Sequence, residues 1–337
     1  MRILYVGRYE DGSTSKMRGE YLKRLLQPAI FKVVNISIPL ENTFPFWRSI
    51  GWRYKWGPLI KQISDFVDAE FNNENYDLIW VDKGLFIKPE IIEKMRKKTP
   101  KLIHFTPDPA FLFHQSKLFF NSIKYYDCCV TTKTFEIELY KKAGAQNVIF
   151  CTQGFDPEIH TPEYSFEEKE KSIVFIGHAE PERFELISHL IENGISIHLA
   201  GIKWEKLIKK YKHKNNFYFH GKGVYKHEYA RLISHSAIGL GLMSKWIPEK
   251  HTTRTFEIPA CGTCLFSEQN EEIDMLFNED EIVRFKTKED LLEKIEMLLA
   301  KPQLLKSITD AGYKKVYSAG YDYPTIMKTL VQKIGLL

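Results

Sequence analysis

The sequence predicts an α/β protein built from two doubly wound domains, and three observations support this class. The chain has 337 residues, which is too long for one small core and suits two domains of ordinary size. Hydrophobic residues make up 44% and charged residues 27%, as in globular rather than disordered or fibrous proteins. Short runs of Val, Ile and Phe alternate with segments of helical periodicity, as in parallel sheets built from βαβ units.

The alternation occurs in two successive series of strands. The first series has predicted strands at residues 2–6, 32–38, 78–81, 102–105, 128–131 and 148–151. The second has predicted strands at residues 172–177, 195–200, 217–220, 237–243, 263–266 and 282–285. Because parallel neighbours need a crossover helix between them, each series predicts one wound sheet.

Composition changes mark the predicted domain boundaries. Residues 156–162 contain two prolines, and residues 167–171 are all charged, so this stretch has little to bury. Near the end, Pro324 follows a predicted helix, and apolar residues then recur four positions apart. We expect a first domain over residues 1–160, a second over 161–318, and a C-terminal helix over 319–337.

Charge and cysteine content narrow the function classes. Lys and Arg number 48 against 43 Asp and Glu, and the net charge of +5 suits anionic small molecules or a membrane surface without requiring nucleic acid. Five cysteines are an odd number, so no disulfide framework follows. Cys261 and Cys264 have the spacing of a zinc or redox pair, but no second pair accompanies them.

The start of the chain carries no targeting signal. Residues 2–6 form a predicted strand directly, without the longer apolar stretch of a signal peptide, and no run of about 18 apolar residues occurs elsewhere. We therefore expect a cytoplasmic protein.

The most informative loop follows the predicted strand at residues 237–243. A short helix can begin near Thr252, and a helix start presents free N–H groups and a partial positive charge. The neighbouring basic residues are Lys250, His251 and Arg254. Glu257 follows one to two turns later, where its carboxylate could accept two hydrogen bonds from a ribose. The loop thus has the groups that a nucleoside diphosphate requires.

Glu249 and Glu257 form a Glu-x7-Glu pair. The pairs 271/279 and 281/289 have the same spacing, so the spacing alone carries no information. What distinguishes the first pair is its position after a strand and across a helix start.

Two segments resemble GT-B glycosyltransferases, most closely the group similar to the spore maturation protein CgeB. Residues 254–266 form one segment, and residues 154–162 match the Gly-aliphatic-Asp-x3-Phe/His-x-Pro signature of that group, with Phe155 at the aliphatic place. Lys83-Gly84 and the stretch at 106–109 also resemble it. The resemblance implies a GT-B-like fold, in which two Rossmann-like domains face a cleft and the C-terminal helix crosses back to the N-terminal domain.

The resemblance also implies roles for particular residues. The C-terminal domain would hold a nucleotide-diphosphate sugar and the N-terminal domain an acceptor. Glu257 would hold the ribose hydroxyls, Glu249 would approach the donor sugar, and the amides near Thr252 and Thr253 would face the phosphates. A Glu-x7-Glu pair resembles the retaining members, whereas many CgeB-like chains keep only the second glutamate.

Further donor-binding candidates come from position in the predicted sheet. Arg183 lies near a helix start after the first strand of the second domain, where it could reach a pyrophosphate, and Lys203 after Gly201 is a second candidate. Plain solvent exposure is the alternative for both. No Asp-x-Asp occurs, which disfavours the metal-dependent GT-A type. We expect no essential metal and no cofactor beyond the donor substrate.

The N-terminal domain offers a candidate acceptor or phosphate loop. Its candidate residues are Gly7, Arg8, Gly12, Ser13 and Lys83. The loop is neither a Gly-x-Gly-x-x-Gly nor a Gly-x4-Gly-Lys-Ser/Thr motif, so a dehydrogenase and a P-loop ATPase lose support. A flexible turn is the alternative. Asp108 could act as general base in an inverting reaction, or serve as a turn residue between two prolines.

Residues 44–56 contain three tryptophans among aromatic and basic neighbours. This composition suits a membrane interface with a lipid-linked acceptor, or stacking on sugars, and core packing of a helix hairpin accounts for it equally well.

The sequence as a whole predicts a glycosyltransferase that moves a sugar from a nucleotide-diphosphate sugar to a hydroxyl acceptor, in the synthesis of a surface glycan or its lipid-linked precursor. One alternative is a sugar-nucleotide-binding protein without turnover. Another is a glycosyltransferase that modifies DNA through basic residues at 94–98 and 206–214, which more often form solvated helix faces.

Overall fold

Each predicted series of strands forms one sheet. The computed structural model describes residues 1–112 and 115–337, and within these ranges it has two six-stranded sheets whose paired strands are all parallel. The chain divides into two units: unit 1 comprises Met1–Thr152 and Met327–Leu337, and unit 2 comprises Gln153–Ile326. Residues 153–160 and 319–326 therefore lie in unit 2.

Unit 1 contains the first sheet and the helices that cover it. Its strands are β1 (Arg2–Gly7), β2 (Ile30–Asn35), β3 (Leu78–Asp82), β4 (Leu102–Thr106), β5 (Cys128–Thr131) and β6 (Val148–Phe150). Its helices are α1 (Thr14–Leu26), α2 (Ser37–Asn42), α3 (Pro45–Tyr54), α4 (Pro58–Phe71), α5 (Pro89–Arg96), α6 (Lys117–Ser122) and α7 (Ile137–Lys142), with 3-10 turns at Ile123–Tyr125 and Thr134–Glu136.

Unit 2 repeats this architecture. Its strands are β7 (Glu170–Ile176), β8 (Ile197–Ala200), β9 (Phe217–Phe219), β10 (Ser236–Gly241), β11 (Cys264–Glu268) and β12 (Val283–Phe285). Its helices are α8 (Pro181–Glu192), α9 (Glu205–Tyr211), α10 (Lys226–His235), α11 (Arg254–Ala260), α12 (Glu271–Leu276), α13 (Lys288–Leu299) and α14 (Pro302–Ser318), and a 3-10 turn lies at Phe166–Glu168. The last helix, α15 (Tyr323–Ile334), begins in unit 2 and ends in unit 1.

Both sheets have a topological switch point. The strand order is β2-β1-β3-β4-β5-β6 in unit 1 and β12-β11-β10-β7-β8-β9 in unit 2. The winding direction reverses between β1 and β3 in the first sheet and between β7 and β10 in the second. Because the loops on either side of a switch point diverge, a crevice forms outside the carboxyl ends of those strands, and ligands bind there. The loops after β1, β3, β7 and β10 are thus the places where a site is expected.

The central strands are buried on both faces. Every residue of β3, β4, β5 and β10 is buried, as expected for parallel strands covered by helices on both sides. This burial explains why these strands appear in the sequence as nearly continuous apolar runs.

The predicted second strand extends too far. Residues 32–38 were expected to be one strand, but β2 ends at Asn35, and α2 begins at Ser37. The Asn35 side chain ends the strand, because its Oδ1 accepts hydrogen bonds from the backbone N–H groups of Tyr9 (2.9 Å) and Ser37 (3.1 Å). Pro39 then lies in the first turn of α2, where its missing N–H has no cost.

The C-terminal segment of unit 1 is anchored by apolar side chains. Met327, Leu330, Val331 and Ile334 are buried. Lys101 also donates a hydrogen bond to the carbonyl of Ile334 at 2.9 Å. No helix in the described ranges is both long enough and apolar enough to cross a membrane.

Candidate functional site

The carboxylate of Glu257 is held by residues from three parts of unit 2. Its Oε2 accepts hydrogen bonds from the hydroxyls of Tyr229 (2.5 Å) on α10 and Thr253 (3.0 Å) before α11. Its Oε1 lies 3.7 Å from Nε2 of His160. Burial, with the nearby charge of Glu257, raises the pKa of Tyr229 well above its ordinary value, so the phenol stays protonated and donates. One oxygen of Glu257 is thereby fixed and the other faces a histidine.

Local sequence explains why the two segments at 154–162 and 254–266 come together. Helix α11 ends at Ala260, and Gly262 follows with a left-handed φ of +68°. A Cβ atom on Gly262 would lie only 3.1 Å from Pro162, so the absence of a side chain permits this close approach. The packing of Gly262 on Pro162 accompanies the approach of His160 to Glu257.

Two guanidinium groups meet at the switch point of unit 2. Arg254 donates to the carbonyls of Ile176 (3.3 Å) and Leu242 (3.5 Å), and Arg183 donates to the same Leu242 carbonyl at 3.3 Å. Both guanidinium carbons lie 5.7 Å from the centroid of the Phe175 ring. Ile176 ends β7 and Leu242 directly follows β10, so both arginines lie at the carboxyl ends of these strands.

Arg183 lies near the start of α8, as its sequence position predicts. Its side chain is only 4% exposed and pairs with Glu180 at 3.0 Å, so the alternative of plain solvent exposure does not hold for it. Burial first and the charge of Arg254 second lower its pKa, whereas nearby carboxylates, including Glu249, act in the opposite direction. Within the described residues, the Nε atoms of Arg183 and Arg254 have no hydrogen-bond acceptor.

Three of the predicted phosphate ligands are engaged by the protein itself. His251 is buried, with Nδ1 2.7 Å from Glu272 and Nε2 accepting the N–H of Gln153 at 3.2 Å. The ammonium of Lys250 forms an ion pair with Glu271. The N–H of Thr252 donates to Oγ1 of Thr255 at 3.1 Å. These groups hold the loop before α11 in place. That α12 supplies the carboxylate partners of His251 and Lys250 does not follow from the sequence.

Lys203 and Glu249 follow two different strands of unit 2, β8 and β10. Lys203 is exposed, has a left-handed φ of +67°, and its ammonium lies 5.4 Å from the centroid of the Trp246 ring. Glu249 is half-buried, and its charge acts on Arg183. Both residues therefore lie on the side of unit 2 where the loops after β8 and β10 emerge.

The loop after β1 is a capped turn. A Cβ on Gly7 would lie 2.7 Å from Oγ of Ser15, and Gly12 has a φ of +83°, so both positions require glycine. Ser13 is the N-cap of α1, because its Oγ accepts the N–H of Lys16 at 3.1 Å. Arg8 is half-exposed and pairs with Glu10 at 3.0 Å. Arg8 is therefore the basic group of this loop, and it is partly open to solvent.

Lys83 and Asp108 lie side by side. Lys83 follows β3 with a left-handed φ of +70°, and its ammonium forms an ion pair with the carboxylate of Asp108. The Asp108 N–H donates to Oγ1 of Thr106 at 3.2 Å. The backbone of Asp108 thus takes part in a turn, while its carboxylate is half-exposed.

A buried ion pair at the switch point of unit 1 was not foreseen. Arg18 donates to both oxygens of Asp82, with Nε 2.9 Å from Oδ2 and Nη2 3.1 Å from Oδ1. The Tyr5 hydroxyl donates to Oδ2 at 3.0 Å, and both charged side chains are only 1% exposed. The sequence shows only that the carboxylate of Asp82 ends an apolar strand. It does not show that the partner of Asp82 is Arg18, which lies 64 residues away.

A basic cavity of about 1060 Å³ lies in unit 1. Its charged lining residues include Arg8, Arg48, Arg53, Lys55 and Glu41. Trp52 also lines it and packs on Phe86 with ring centroids 5.1 Å apart.

The aromatic residues around α3 are largely exposed. Trp47 is 37%, Trp52 43% and Trp56 67% exposed, and Phe44 and Phe46 are more than half exposed. Core packing therefore accounts for only part of this aromatic segment.

Comparison with known proteins gives both a family match and a fold. Residues 183–332 match the family model described as glycosyl transferase-like. No curated protein matches the chain significantly. Sucrose-phosphate synthase from Thermosynechococcus elongatus superposes with a TM-score of 0.71 at 14% identity, covering 99% of this chain and 98% of that chain. The chain has the GT-B fold.

Two further solved structures share this GT-B architecture. HepE from Anabaena, solved in complex with UDP, superposes with a TM-score of 0.67 at 14% identity over 100% of both chains, and HepE has also been solved with UDP-glucose. The N-terminal domain of Candida albicans trehalose-6-phosphate phosphatase gives 0.67 at 12% identity, covering 99% of this chain and 96% of that chain. These superpositions establish the GT-B fold, and the family match supports a glycosyltransferase.

Proposed function

We propose that this GT-B protein is a glycosyltransferase of the CgeB-like group that uses a nucleotide-diphosphate sugar and needs no metal. The observation that carries the proposal is the position of Arg254 and Glu257. Both lie on α11 after β10, at the switch point of unit 2, and within the residues that match the glycosyl transferase-like model. A guanidinium and a carboxylate one turn apart can bind a diphosphate and the adjoining ribose.

Glu257 is the proposed ribose ligand. Tyr229 and Thr253 occupy its Oε2, which fixes the direction of the carboxylate, and Oε1 retains acceptor capacity for a hydroxyl. A preoriented acceptor loses less side-chain freedom on binding than a mobile one.

Arg254 is the proposed diphosphate ligand, and Arg183 positions it. The two like charges share one carbonyl acceptor and lie close to the same aromatic ring, and their Nε atoms have no partner within the described part of the chain. A diphosphate would offset this repulsion and supply acceptors. In the reaction, these guanidiniums would stabilise the charge that develops on the leaving diphosphate.

The proposed chemistry is transfer of the sugar from the diphosphate to a hydroxyl oxygen. The bond between the anomeric carbon and the phosphate oxygen breaks, the diphosphate leaves with that electron pair, and the acceptor oxygen bonds to the carbon. The hydroxyl proton passes to a base, for which Asp108 is our candidate in an inverting reaction. Because Lys83 pairs with Asp108, the carboxylate must share or release that ammonium before it accepts a proton. Glu249 is the candidate to contact the donor sugar.

We further propose an acceptor at a membrane surface, such as a lipid-linked glycan precursor. The cavity beside α3 has four basic side chains and one acidic one, which suits an acceptor carrying phosphate or carboxylate groups. Exposed Trp and Phe next to Arg48 and Arg53 suit the interface of an anionic membrane. The DNA alternative has less support, because Lys94, Lys97 and Lys210 pair with carboxylates.

The test is a binding and turnover measurement on the full chain. Calorimetry with UDP, GDP, ADP and UDP-glucose is expected to show one nucleoside diphosphate binding at one site. Release of UDP or another nucleoside diphosphate that depends on added acceptor, together with the glycosylated acceptor, would establish transfer. Binding without any release would instead establish a sugar-nucleotide-binding protein, and no binding of any nucleoside diphosphate would overturn the proposed donor site.

A further inference from the structure

Three histidines and a glutamate meet in unit 2 on the opposite side from the proposed donor residues. Glu170 is the first residue of β7, and His235 directly precedes β10. His198 lies on β8 and His220 follows β9. Arg254 and Glu257, in contrast, come after the carboxyl end of β10. The proposed nucleotide-sugar site therefore does not use the residues of this cluster.

The nitrogen and oxygen atoms of the cluster converge. Nε2 of His198 lies 2.9 Å from Oε2 of Glu170, and Nδ1 of His235 lies 3.7 Å from the same oxygen. One ligand atom from each of these three residues lies within 4.8 Å of the others. In a tetrahedral site with bonds of about 2.0–2.1 Å, ligand atoms lie roughly 3.3 Å apart. The observed separations bracket that value, so small side-chain rotations would complete three corners of a tetrahedron.

A second layer of hydrogen bonds orients the converging atoms. Nδ1 of His198 lies 2.8 Å from Nε2 of His220, and Oε1 of Glu170 accepts a hydrogen bond from Ser196 at 3.0 Å. The ring of Tyr218 stacks on His198 with centroids 4.8 Å apart. Metal-binding imidazoles and carboxylates have such partners, which fix the tautomer and the ring orientation.

We propose that Glu170, His198 and His235 form a zinc site, with His220 as a positioning residue. Two imidazoles and one carboxylate match zinc, whereas Ca²⁺ and Mg²⁺ prefer oxygen ligands throughout. With the ion on Nε2 of His198, the ring hydrogen resides on Nδ1 and donates to His220.

The site would tie together elements that are distant in sequence. It joins the start of β7, strand β8 and the end of α10, all within unit 2. An ion that binds only the folded arrangement stabilises it by mass action. The expected consequence is a rise in the unfolding temperature of unit 2 on metal addition.

The test uses the full chain. Bound metal is first removed with a chelator, and the chelator is then removed. Titration with Zn²⁺ is expected to give one ion per chain, and Co²⁺ is expected to show the visible absorption of a tetrahedral or five-coordinate site. The double variant His198→Ala with His235→Ala should bind about 100-fold more weakly or not at all, and His220→Ala should lose about 10- to 100-fold. The matched control removes two exposed histidines of the same unit, His213→Ala with His227→Ala, and should bind like the wild type.

The possible results separate the site from adventitious binding. Because the buried His198 also contributes to packing, His235→Gln provides a milder variant, and circular dichroism checks that each variant is folded. Loss of the Co²⁺ spectrum in folded His235→Gln supports the proposal. Equal binding by His235→Gln, the double variant and the control would overturn it, as would no stoichiometric binding by the wild type. Binding of UDP is measured in parallel, so that failure here is distinguished from failure of the donor site.

Discussion

At the scale of single residues, the most informative side chain is Glu257, because its surroundings are assembled from distant parts of unit 2. Tyr229 is 28 residues away and His160 lies in a different segment of the chain. The sequence indicated the carboxylate through its place after a strand and beside Arg254. It did not indicate the residues that orient it, since a hydrogen bond between distant side chains leaves no periodic pattern.

Replacing Glu257 by Gln tests the ribose contact. The amide keeps the size of the side chain but removes the charge, and a hydrogen bond to a charged group contributes about 1.5–3 kcal/mol. We therefore expect the affinity for UDP, measured by calorimetry, to fall about 10- to 100-fold. Glu279→Gln, an exposed position of the same unit, is the control and should bind UDP like the wild type. Equal affinities in the two variants would refute the assignment.

The remaining candidate residues show which properties of a site can be predicted from a residue's position after a predicted strand. The strand ends located the loops of Arg183, Lys203 and Lys83 correctly, because these depend on local patterns. Whether a cation in such a loop is free depends on neighbours contributed by other loops. The pairing of Lys83 with Asp108 joins two loops and does not follow from sequence spacing. Arg183 pairs with Glu180 three residues earlier, and what that spacing does not predict is the burial of Arg183.

Glu136 predicts a pH dependence of stability. It is fully buried in unit 1, and burial raises its pKa to about 7, although the N–H of Phe111 donates to it. In the unfolded chain a carboxyl ionises near pH 4.5, so between about pH 4.5 and 7 the folded protein holds one proton more. Stability should therefore decrease as the pH rises through this range and level off above it.

The expected size of this effect is about 3 kcal/mol, and Glu136→Gln should remove it. Unfolding free energies of the two proteins at pH 5 and pH 8 provide the measurement. Glu138→Gln, an exposed residue two positions along, is the control and should retain the slope of the wild type. Parallel pH profiles for wild type and Glu136→Gln would exclude Glu136 as the source.

At the scale of elements, apolar periodicity predicts where the strands lie. It does not predict where a strand ends when a polar side chain terminates it. The two series of predicted strands correspond to the two observed sheets. The exception is the end of β2, where Asn35 caps the strand and α2 begins. A polar side chain that hydrogen-bonds the next turn changes the backbone without changing the apolar pattern, so the pattern alone predicts strand at residues 36–38.

Helix α3 is the element whose surface indicates a partner. It carries Arg48 and Arg53 and no acidic residue, and its tryptophans are exposed. We expect Trp47→Ser with Trp56→Ser to reduce cosedimentation with anionic phospholipid vesicles at least several-fold, because aromatic side chains supply much of the interfacial binding energy. The unfolding temperature should change little, since exposed side chains contribute little to packing.

The control for this experiment replaces an exposed aromatic residue elsewhere, Tyr225→Ser in unit 2. That variant should sediment with vesicles like the wild type. Vesicle binding that is unaffected by the tryptophan substitutions would remove the basis for a membrane-bound acceptor, whereas loss of binding in both variants would indicate a nonspecific effect.

At the scale of the whole molecule, the order of the strands decides where ligands can bind. In each sheet, the winding direction reverses at one place, and most candidate residues follow the strands on either side of it. The exceptions are Lys203, which follows β8, and Asp108, which follows β4. The sequence predicted two wound sheets but not this strand order, because pairing between strands is a long-range property. The switch points therefore indicate where the sites lie, and this evidence cannot be obtained from the sequence alone.

The division of the chain leads to the last prediction. Unit 1 includes residues 327–337, whose Leu330 is only 1% exposed. Truncation of a buried leucine costs about 2–5 kcal/mol. Leu330→Ala should therefore increase hydrogen exchange in β3 and β4 of unit 1 and leave that of β7 and β10 unchanged, because the two sheets have separate cores. UDP affinity should be preserved, since Arg254 and Glu257 belong to unit 2.

The control is Leu304→Ala, which changes a leucine at an exposed position. Faster exchange in β10 would show that the helix α15 stabilises both units together.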